Sequence, residues 1–218
     1  TPNSFLATSN SILYAQAKPV FIDITNDGNI DLDLCEAAIK KDPSIKAIYA
    51  VAFSGLMLNQ AKLKHLKQTY KIVILEDCAH AIGAQYQDIK AGSCTYSDCS
   101  IFSFHPVKHM TTGEGGAITT NNKELYEKMI ILRNHGMEPK YYHQEVGMNS
   151  RLDAMQAAVL NAKLPHLDSW AAGRSKNADD YDQMFHAAGG GDTSSSLNDL
   201  TLPILTPARP ASPSRHVF

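Results

Sequence analysis

The stretch SIFSFHPVKHMTTGEGG (100–116) leads from an apolar run, through Lys108, into a glycine-rich turn. Its apolar start has counterparts elsewhere in the chain. Runs of this kind, with no polar face, are typical of strands covered on both faces in a parallel sheet. The sequence therefore predicts five strands, at 19–24, 46–53, 71–77, 100–104 and 116–120.

Helical patterns lie between several of these strands, at 32–41, 60–70, 122–134 and 152–163. Asp31 is placed to cap the first predicted helix, and Gly136 is placed to end the third. The buried face of the first helix is predicted to consist of Leu34, Cys35, Ala38 and Ile39. Strands that alternate with helices indicate an α/β domain with a mostly parallel sheet.

The composition is that of a soluble globular protein. The chain has 218 residues, 44% of them hydrophobic and 19% charged, and a net charge of −2. The sequence has no basic excess for nucleic acid, no apolar run near the ~20 residues of a membrane span, and no signal-peptide pattern. We therefore expect a cytoplasmic protein. In that setting the four cysteines, Cys35, Cys78, Cys94 and Cys99, are predicted to be packed thiols rather than disulfides or metal ligands.

Chemistry-bearing residues follow two of the predicted strands. Asp77 ends one strand and His80 comes three residues later, whereas Ser103 ends another and precedes Lys108 by five residues. Ligands bind at the carboxyl ends of strands in open parallel sheets. Taken singly, the aspartate could cap a helix, the lysine could be a solvated charge and the glycines could form an ordinary turn. Together they fit a lysine that forms a Schiff base with pyridoxal phosphate (PLP), a carboxylate that keeps the pyridine nitrogen protonated, and a serine donor to the phosphate.

Four ordered motifs resemble the DegT/DnrJ/EryC1/StrS family: LEDCAHAIGA (75–84), FSFHPVKHMTTGEGGAITT (102–120), LRNHG (132–136) and GMNSRLDAMQAAV (147–159). The resemblance covers roughly residues 1–185. It implies a PLP-dependent sugar aminotransferase. The implied fold is the large domain of PLP fold-type I, similar to aspartate aminotransferase, with helices on both faces of a mostly parallel sheet.

The resemblance also implies roles for individual residues. Lys108 corresponds to the Schiff-base lysine and Asp77 to the partner of the pyridine nitrogen. His80 corresponds to a residue near the phenolic oxygen of the cofactor, and Ser103 to the phosphate-binding serine. Phe5 matches an aromatic position that stacks on the pyridine ring.

Asn149 resembles an asparagine that reaches the cofactor phosphate of a neighbouring subunit. The resemblance therefore implies a homodimer with shared active sites.

Several features predict a fragment. The family's Gly-Thr/Ser-Ala phosphate turn would precede Thr1, and its small C-terminal domain would follow Phe218. Separately, FSGLML (53–58) departs from the family pattern, because it replaces the usual His/Tyr-Ala-Gly turn. We expect a PLP-binding large domain at 1–165, followed at 166–218 by a connecting helix, a polar loop and the start of the small domain.

The resemblance implies transfer of an amino group from glutamate to a nucleotide-linked sugar. The motif around Lys108 is most similar to the subgroup that aminates C4 of UDP-linked 4-keto-6-deoxy hexoses, on the routes to pseudaminic acid and aminoarabinose. Two alternatives stay open. Sugar dehydratases of the family carry a histidine in place of the lysine, so the presence of Lys108 argues against that reaction. A non-catalytic remnant would keep the fold without turnover.

Overall fold

The computed structural model describes residues 1–187. Of the segment expected at 166–218, residues 188–218 lie outside the described residues, and with them most of the polar loop and the expected start of the small domain.

A four-stranded sheet forms the centre of the domain. The strands in chain order are β1 (Ala47–Val51), β2 (Val73–Asp77), β3 (Gln85–Tyr86), β4 (Ile89–Lys90), β5 (Cys99–Ser103) and β6 (Gly116–Thr119). The central sheet has the order β1-β2-β5-β6, whereas β3 and β4 form a separate antiparallel hairpin. Strand β2 pairs in parallel with β1 and β5, and β6 runs antiparallel to β5. The prediction of a mostly parallel sheet is confirmed.

The helices are α1 (Leu6–Tyr14), α2 (Leu32–Lys41), α3 (Gln60–Tyr70), α4 (Lys123–Arg133), α5 (Ala154–Lys163) and α6 (Leu167–Ala187). Short 3-10 turns occur at Phe53–Gly55 and Leu164–His166. The four helices predicted from sequence are present, with bounds within two residues of those expected. Within residues 1–187, no helix is both long enough and apolar enough to cross a membrane.

The predicted helix ends are also confirmed. The Asp31 side chain accepts hydrogen bonds from the backbone N–H groups of Asp33 and Leu34, which satisfies two free donors at the start of α2. Beyond α4, Gly136 has a φ of +70°, and its N–H donates to the carbonyl of Ile131 at 2.9 Å. A left-handed residue of this kind is a common way to stop a helix.

One face of the sheet packs against α2 and α3. The strand register places Ile48 beside Ile74 on this face, and both are buried with Leu63 and Leu66 of α3 in one core. All four cysteines are buried, which confirms that prediction. The predicted buried face of α2 needs one correction.

Leu34, expected in the core, is 46% exposed, whereas Leu32, Cys35 and Ile39 are buried. Leu32, Cys35 and Ile39 recur at intervals of three and four residues and form one stripe along α2, and Leu34 lies outside this stripe.

The opposite face of the sheet carries Tyr49, Leu75, Asp77, Ile101 and Ser103, all of which are half-buried. Helix α1 reaches this face through a hydrogen bond from Thr8 to Asp77. Helices therefore contact both faces of the sheet.

The strand predicted at 19–24 is absent. Ile24 forms a single bridge with Ile30 across a turn, and residues 18–22 lie beside β1 without pairing with it. A cavity of about 380 Å³, lined by both segments, separates them. A run with strand composition forms a strand only when it pairs with a neighbouring backbone, and among the described residues the segment 18–22 has no such pairing.

Candidate active site

Asp77 ends β2 on the α1 side of the sheet, and both of its carboxylate oxygens are engaged. Oδ1 accepts the backbone N–H of Ala79 at 3.0 Å, and Oδ2 accepts the hydroxyl of Thr8 at 2.8 Å. The chain then turns sharply, with the N–H of Ala81 donating to the carbonyl of Cys78 at 2.9 Å. Asp77 therefore stabilises a turn and does not cap a helix.

His80 lies in that turn and is half-buried. Its ring contacts Phe53 edge-on, with 6.4 Å between ring centroids. Burial lowers the pKa of His80, the Lys108 cation lowers it further, and Asp77 partly opposes both effects. The net effect favours the neutral imidazole more than in an ordinary histidine. Among the residues that the structure describes, its Nδ1 is buried without a hydrogen-bond partner.

Lys108 lies in a loop whose two ends meet at Phe104. The carbonyl of Phe104 accepts the N–H of Thr112 at 3.0 Å and the hydroxyl of Thr111 at 2.8 Å. Side chains from two helices hold the loop from outside. Lys163 of α5 donates to the carbonyl of Thr111 at 2.6 Å, and Arg174 of α6 donates to that of His109 at 3.5 Å.

The Lys108 amine is less basic than an ordinary lysine. Burial lowers its pKa, and the nearby Asp77 carboxylate raises it by a smaller amount. A lysine shifted in this direction has a larger fraction of neutral amine, which is the nucleophilic form. Strands β2 and β5 are parallel neighbours, so their carboxyl ends place Asp77, His80 and Lys108 close enough to interact electrostatically.

The glycine turn after Lys108 is required by contacts within the chain. Gly115 has a φ of +149°, and a Cβ there would lie 2.7 Å from Cδ1 of Leu152. A Cβ at Gly116 would lie 2.9 Å from the carbonyl oxygen of Phe102, on the paired strand. The glycines therefore allow the turn to close tightly against β5 and the segment before α5.

The other three predicted site residues, Ser103, Phe5 and Asn149, each lie in a different part of the fold. Ser103 lies on the same face as Asp77, two residues beyond the Asp77–Ile101 pair, and its hydroxyl accepts the N–H of His105 at 3.3 Å. Phe5 precedes α1 and is 80% exposed. Asn149 is exposed and forms a backbone bridge with Asn134. The roles of all six predicted residues stay predictions.

The residues at this site fit PLP. The buried Nδ1 of His80 needs a partner that the described residues do not supply. Lys108 has the lowered pKa expected of a lysine that bonds to an aldehyde. Each oxygen of Asp77 accepts one hydrogen bond from the chain and keeps capacity for a second donor, such as a pyridinium N–H.

The architecture is that of the large domain of PLP fold-type I aminotransferases, as the sequence predicted. One solved structure with this fold is an aminotransferase from Helicobacter pylori involved in the biosynthesis of pseudoaminic acid. It superposes with a TM-score of 0.80 at 36% identity, covering 85% of this chain and 50% of that chain.

The sequence matches the DegT/DnrJ/EryC1/StrS aminotransferase family over residues 1–203, and the chain belongs to this family. The aminotransferases of this family are PLP-dependent.

Two curated relatives act on nucleotide sugars. A UDP-4-amino-4,6-dideoxy-N-acetyl-beta-L-altrosamine transaminase from Campylobacter jejuni is 42% identical over 190 residues, covering 85% of this chain and 50% of the relative. A UDP-N-acetyl-3-dehydro-alpha-D-glucosamine 3-aminotransferase from Acidithiobacillus ferrooxidans is 40% identical over 181 residues, covering 82% of this chain and 48% of the relative. The chain spans about half the length of the curated relatives that it matches.

Proposed function

We propose that this chain provides the PLP-binding part of an aminotransferase that moves an amino group from glutamate to a nucleotide-linked 4-keto-6-deoxy sugar. The observation that carries the proposal is the meeting of Lys108, Asp77 and His80 at the carboxyl ends of β2 and β5. The cofactor, a pyridine that bears an aldehyde, requires a nucleophilic amine, a fixed carboxylate and a further polar group. The half-buried His80 imidazole, whose Nδ1 has no partner within residues 1–187, is suited to be the third.

PLP, when bound, supplies the electron sink that stabilises negative charge at the carbon that carries the amino group. The chain supplies attachment and proton movement. The Lys108 amine would hold the cofactor aldehyde and would move a proton to and from the carbon that carries the amino group. The Asp77 carboxylate would pair with the pyridine nitrogen, and His80 would form a hydrogen bond at the phenolic oxygen.

Three residues are proposed to orient the cofactor. The Ser103 hydroxyl donates to the phosphate, and Phe5 covers the flat face of the ring. Asn149 contacts the phosphate of the cofactor that is bound to a neighbouring subunit, in a homodimer with shared active sites. The exposure of Phe5 and Asn149 is consistent with positions that face a ligand or a partner.

The sugar class is supported by the relatives. The Campylobacter relative is named for a 4-amino sugar, in agreement with the motif around Lys108, whereas the Acidithiobacillus relative is named for amination at C3. Both names specify a UDP-linked sugar. We favour a UDP-4-keto-6-deoxy hexose and a cytoplasmic location, since four buried cysteine thiols are typical of a reducing compartment.

An amino-transfer assay tests the proposal. The purified protein that carries this chain is incubated with PLP and glutamate and with 4-keto-6-deoxy sugars linked to UDP, dTDP or GDP. A UDP-3-keto sugar is included, and 2-oxoglutarate is measured. The expected result is turnover with the UDP-4-keto sugar that is absent in Lys108→Ala. Turnover only with the 3-keto sugar would correct the substrate, and PLP binding without any amino transfer would favour the non-catalytic remnant.

The dehydratase alternative has its own signature. A sugar 3-dehydratase that uses glutamate would form 2-oxoglutarate, release the nitrogen as ammonia and leave a deoxy keto sugar. The presence of Lys108 leads us to expect an amino sugar formed in a 1:1 ratio with 2-oxoglutarate, without release of ammonia.

A further inference from the structure

A hydroxyl from α1 reaches the carboxylate at the end of β2. Thr8 is the buried residue of α1, at 8% exposed, and its Oγ1 lies 2.8 Å from Oδ2 of Asp77. A carboxylate only accepts hydrogen bonds, so the Thr8 hydroxyl is the donor. Nothing in the sequence motifs around Asp77 indicates this contact, because the two residues are 69 positions apart.

A second hydroxyl completes the arrangement. Ser4 Oγ lies 2.8 Å from Thr8 Oγ1. A threonine hydroxyl has one hydrogen, and that of Thr8 is directed to Asp77. Ser4 is therefore the donor and Thr8 the acceptor in this bond, which is shorter than the 3.3 Å contact of the same Ser4 hydroxyl with the carbonyl of Phe5. The two hydroxyls form a chain in which each hydrogen bond polarises the next, and the chain ends at the carboxylate.

The Thr8 bond fixes the orientation of the Asp77 side chain. The N–H of Ala79 holds Oδ1 from one side, and the Thr8 hydroxyl holds Oδ2 from the other. Together they set the plane of the carboxylate. Without Thr8, the Asp77 side chain keeps one bond and can turn about its terminal torsion, which has a broad energy profile.

The same bond ties α1 to the site. Phe5 is the N-cap of α1, and its carbonyl accepts the backbone N–H of Thr8 at 3.1 Å. Anchoring Thr8 to Asp77 therefore holds the start of α1, with the exposed Phe5, near the end of β2.

We propose that Thr8 is a positioning residue whose hydroxyl, supported by Ser4, holds the Asp77 carboxylate in the orientation that pairs with the pyridine nitrogen of PLP. The inference rests on the proposed function, because it assigns Thr8 a role toward the cofactor. The competing explanation is a structural bond that only attaches α1 to the sheet. The two differ in what Thr8 does to the pyridine nitrogen.

The test uses the purified protein that carries this chain, loaded with PLP labelled with ¹⁵N in the ring. The variants are Thr8→Val, which keeps the shape and removes the hydroxyl, Thr8→Ser, which restores the hydroxyl, and Ser4→Ala, which removes the outer donor alone. Thr120→Val is the matched control, since its hydroxyl donates to the carbonyl of Asp98. The ¹⁵N chemical shift reports protonation of the ring nitrogen, titration of PLP gives its Kd, and circular dichroism checks folding.

We expect Thr8→Val to move the ¹⁵N signal toward the unprotonated pyridine and to weaken PLP binding about tenfold, the effect of one lost bond to a charged group. Thr8→Ser returns both readouts to within about twofold of the unmodified protein, and Ser4→Ala gives a smaller change in the same direction. Thr120→Val leaves both unchanged.

The outcomes separate the two hypotheses. Failure of the unmodified protein to bind PLP overturns the proposed function and this inference with it. An unchanged ¹⁵N signal in PLP-bound Thr8→Val overturns the role of Thr8 alone. If Thr8→Val does not fold, Ser4→Ala decides, because an unshifted signal in that variant contradicts the hydroxyl chain.

Discussion

The Asp77 carboxylate and the Lys108 amine interact across two adjacent strand ends. Asp77 ends β2, and Lys108 lies in the loop after β5, the parallel neighbour of β2. Burial lowers the pKa of Lys108, and Asp77 raises it by a smaller amount. The charged form of Lys108 thus loses part of its solvation in the folded protein. The attraction of the Asp77 carboxylate offsets only part of that loss.

This arrangement predicts that Lys108 reduces the stability of the cofactor-free protein. A lysine with a lowered folded pKa binds its proton more weakly in the folded state than in the unfolded state. The cost is therefore fully present below the folded pKa and disappears as the pH rises through it toward the ordinary value of 10.5. We expect Lys108→Met to raise the unfolding temperature at pH 7 by roughly 1–3 °C, with a smaller gain at pH 10.

Thermal unfolding without PLP measures this effect, and Lys90→Met, at an exposed lysine of β4, is the control. A Lys108→Met protein that is less stable than the unmodified protein at pH 7 would contradict the account.

We predict that the stability of the fold depends strongly on the hydrogen bond from Gln60 to the buried carboxyl group of Glu76. Glu76 is 5% exposed and faces the core, where Oε1 accepts from Nε2 of Gln60 at 3.1 Å and Oε2 from the Ser100 hydroxyl at 3.4 Å. Removing the Gln60 donor leaves a buried acceptor unpaired. We expect Gln60→Met to lower the free energy of unfolding by about 2 kcal/mol in denaturant titrations.

The double variant Gln60→Met/Glu76→Met replaces both partners with apolar groups and should recover part of that loss. Equal or greater destabilisation in the double variant would show that the pair is not coupled in this way.

We predict that the contact between α2 and α3 weakens in acid, because it depends on the charged carboxylate of Glu36. Its carboxylate lies 2.6 Å from Nζ of Lys62 and also contacts Lys40, Tyr70 and His65. Lys62 first, then the other partners, hold the pKa of Glu36 well below its usual 4.5. The resulting stability is present above pH 4.5 and is lost as the pH falls below that value.

Glu36→Gln should therefore lower the unfolding temperature at pH 7, with a difference that narrows below pH 4.5. Glu127→Gln is the matched control, since the Lys123–Glu127 pair is exposed and has a separation of 3.6 Å. If Glu36→Gln lowers the unfolding temperature at pH 7 no more than Glu127→Gln does, the stabilising role of the charged groups around Glu36 is contradicted.

We predict that alanine substitutions at two glycines, Gly116 and Gly173, change the free energy of unfolding in opposite directions. A Cβ at Gly116 would meet the carbonyl oxygen of Phe102 at 2.9 Å, so the β5–β6 pair would have to separate. At Gly173, inside α6, a Cβ would meet nothing within 4 Å. We expect Gly116→Ala to cost about 1–3 kcal/mol and Gly173→Ala to add about 0.5–1 kcal/mol, measured by denaturant unfolding. The same sign for both variants would contradict the described packing.

The sequence predicted the parts of the fold that depend on local pattern. Asp31 and Gly136 give helix ends that follow from their own chemistry. The strand bearing Asp77 and the strand bearing Ser103 are apolar runs of the right length. The family motifs then predicted the strand ends at which the candidate site lies.

The parts that were missed depend on distant neighbours. Helix α1 buries only Thr8, a polar residue, so no apolar stripe indicates it. The same contact gives Asp77 its hydroxyl donor, and Lys163 and Arg174 hold the Lys108 loop from helices that follow it in sequence. The run at 19–24 has the composition of a strand, but its backbone pairing is confined to Asp23 and Ile24, which meet the turn at 30–31. None of these contacts can be read from spacing along the chain.

The central claim is that Lys108 is the residue to which PLP attaches. The most direct measurement is reduction of the PLP-loaded protein with borohydride, followed by peptide mass spectrometry. We predict one phosphopyridoxyl group on Lys108, together with a visible absorbance of the bound cofactor that Lys108→Ala abolishes. A modified lysine elsewhere, or the same absorbance in Lys108→Ala, would contradict the assignment.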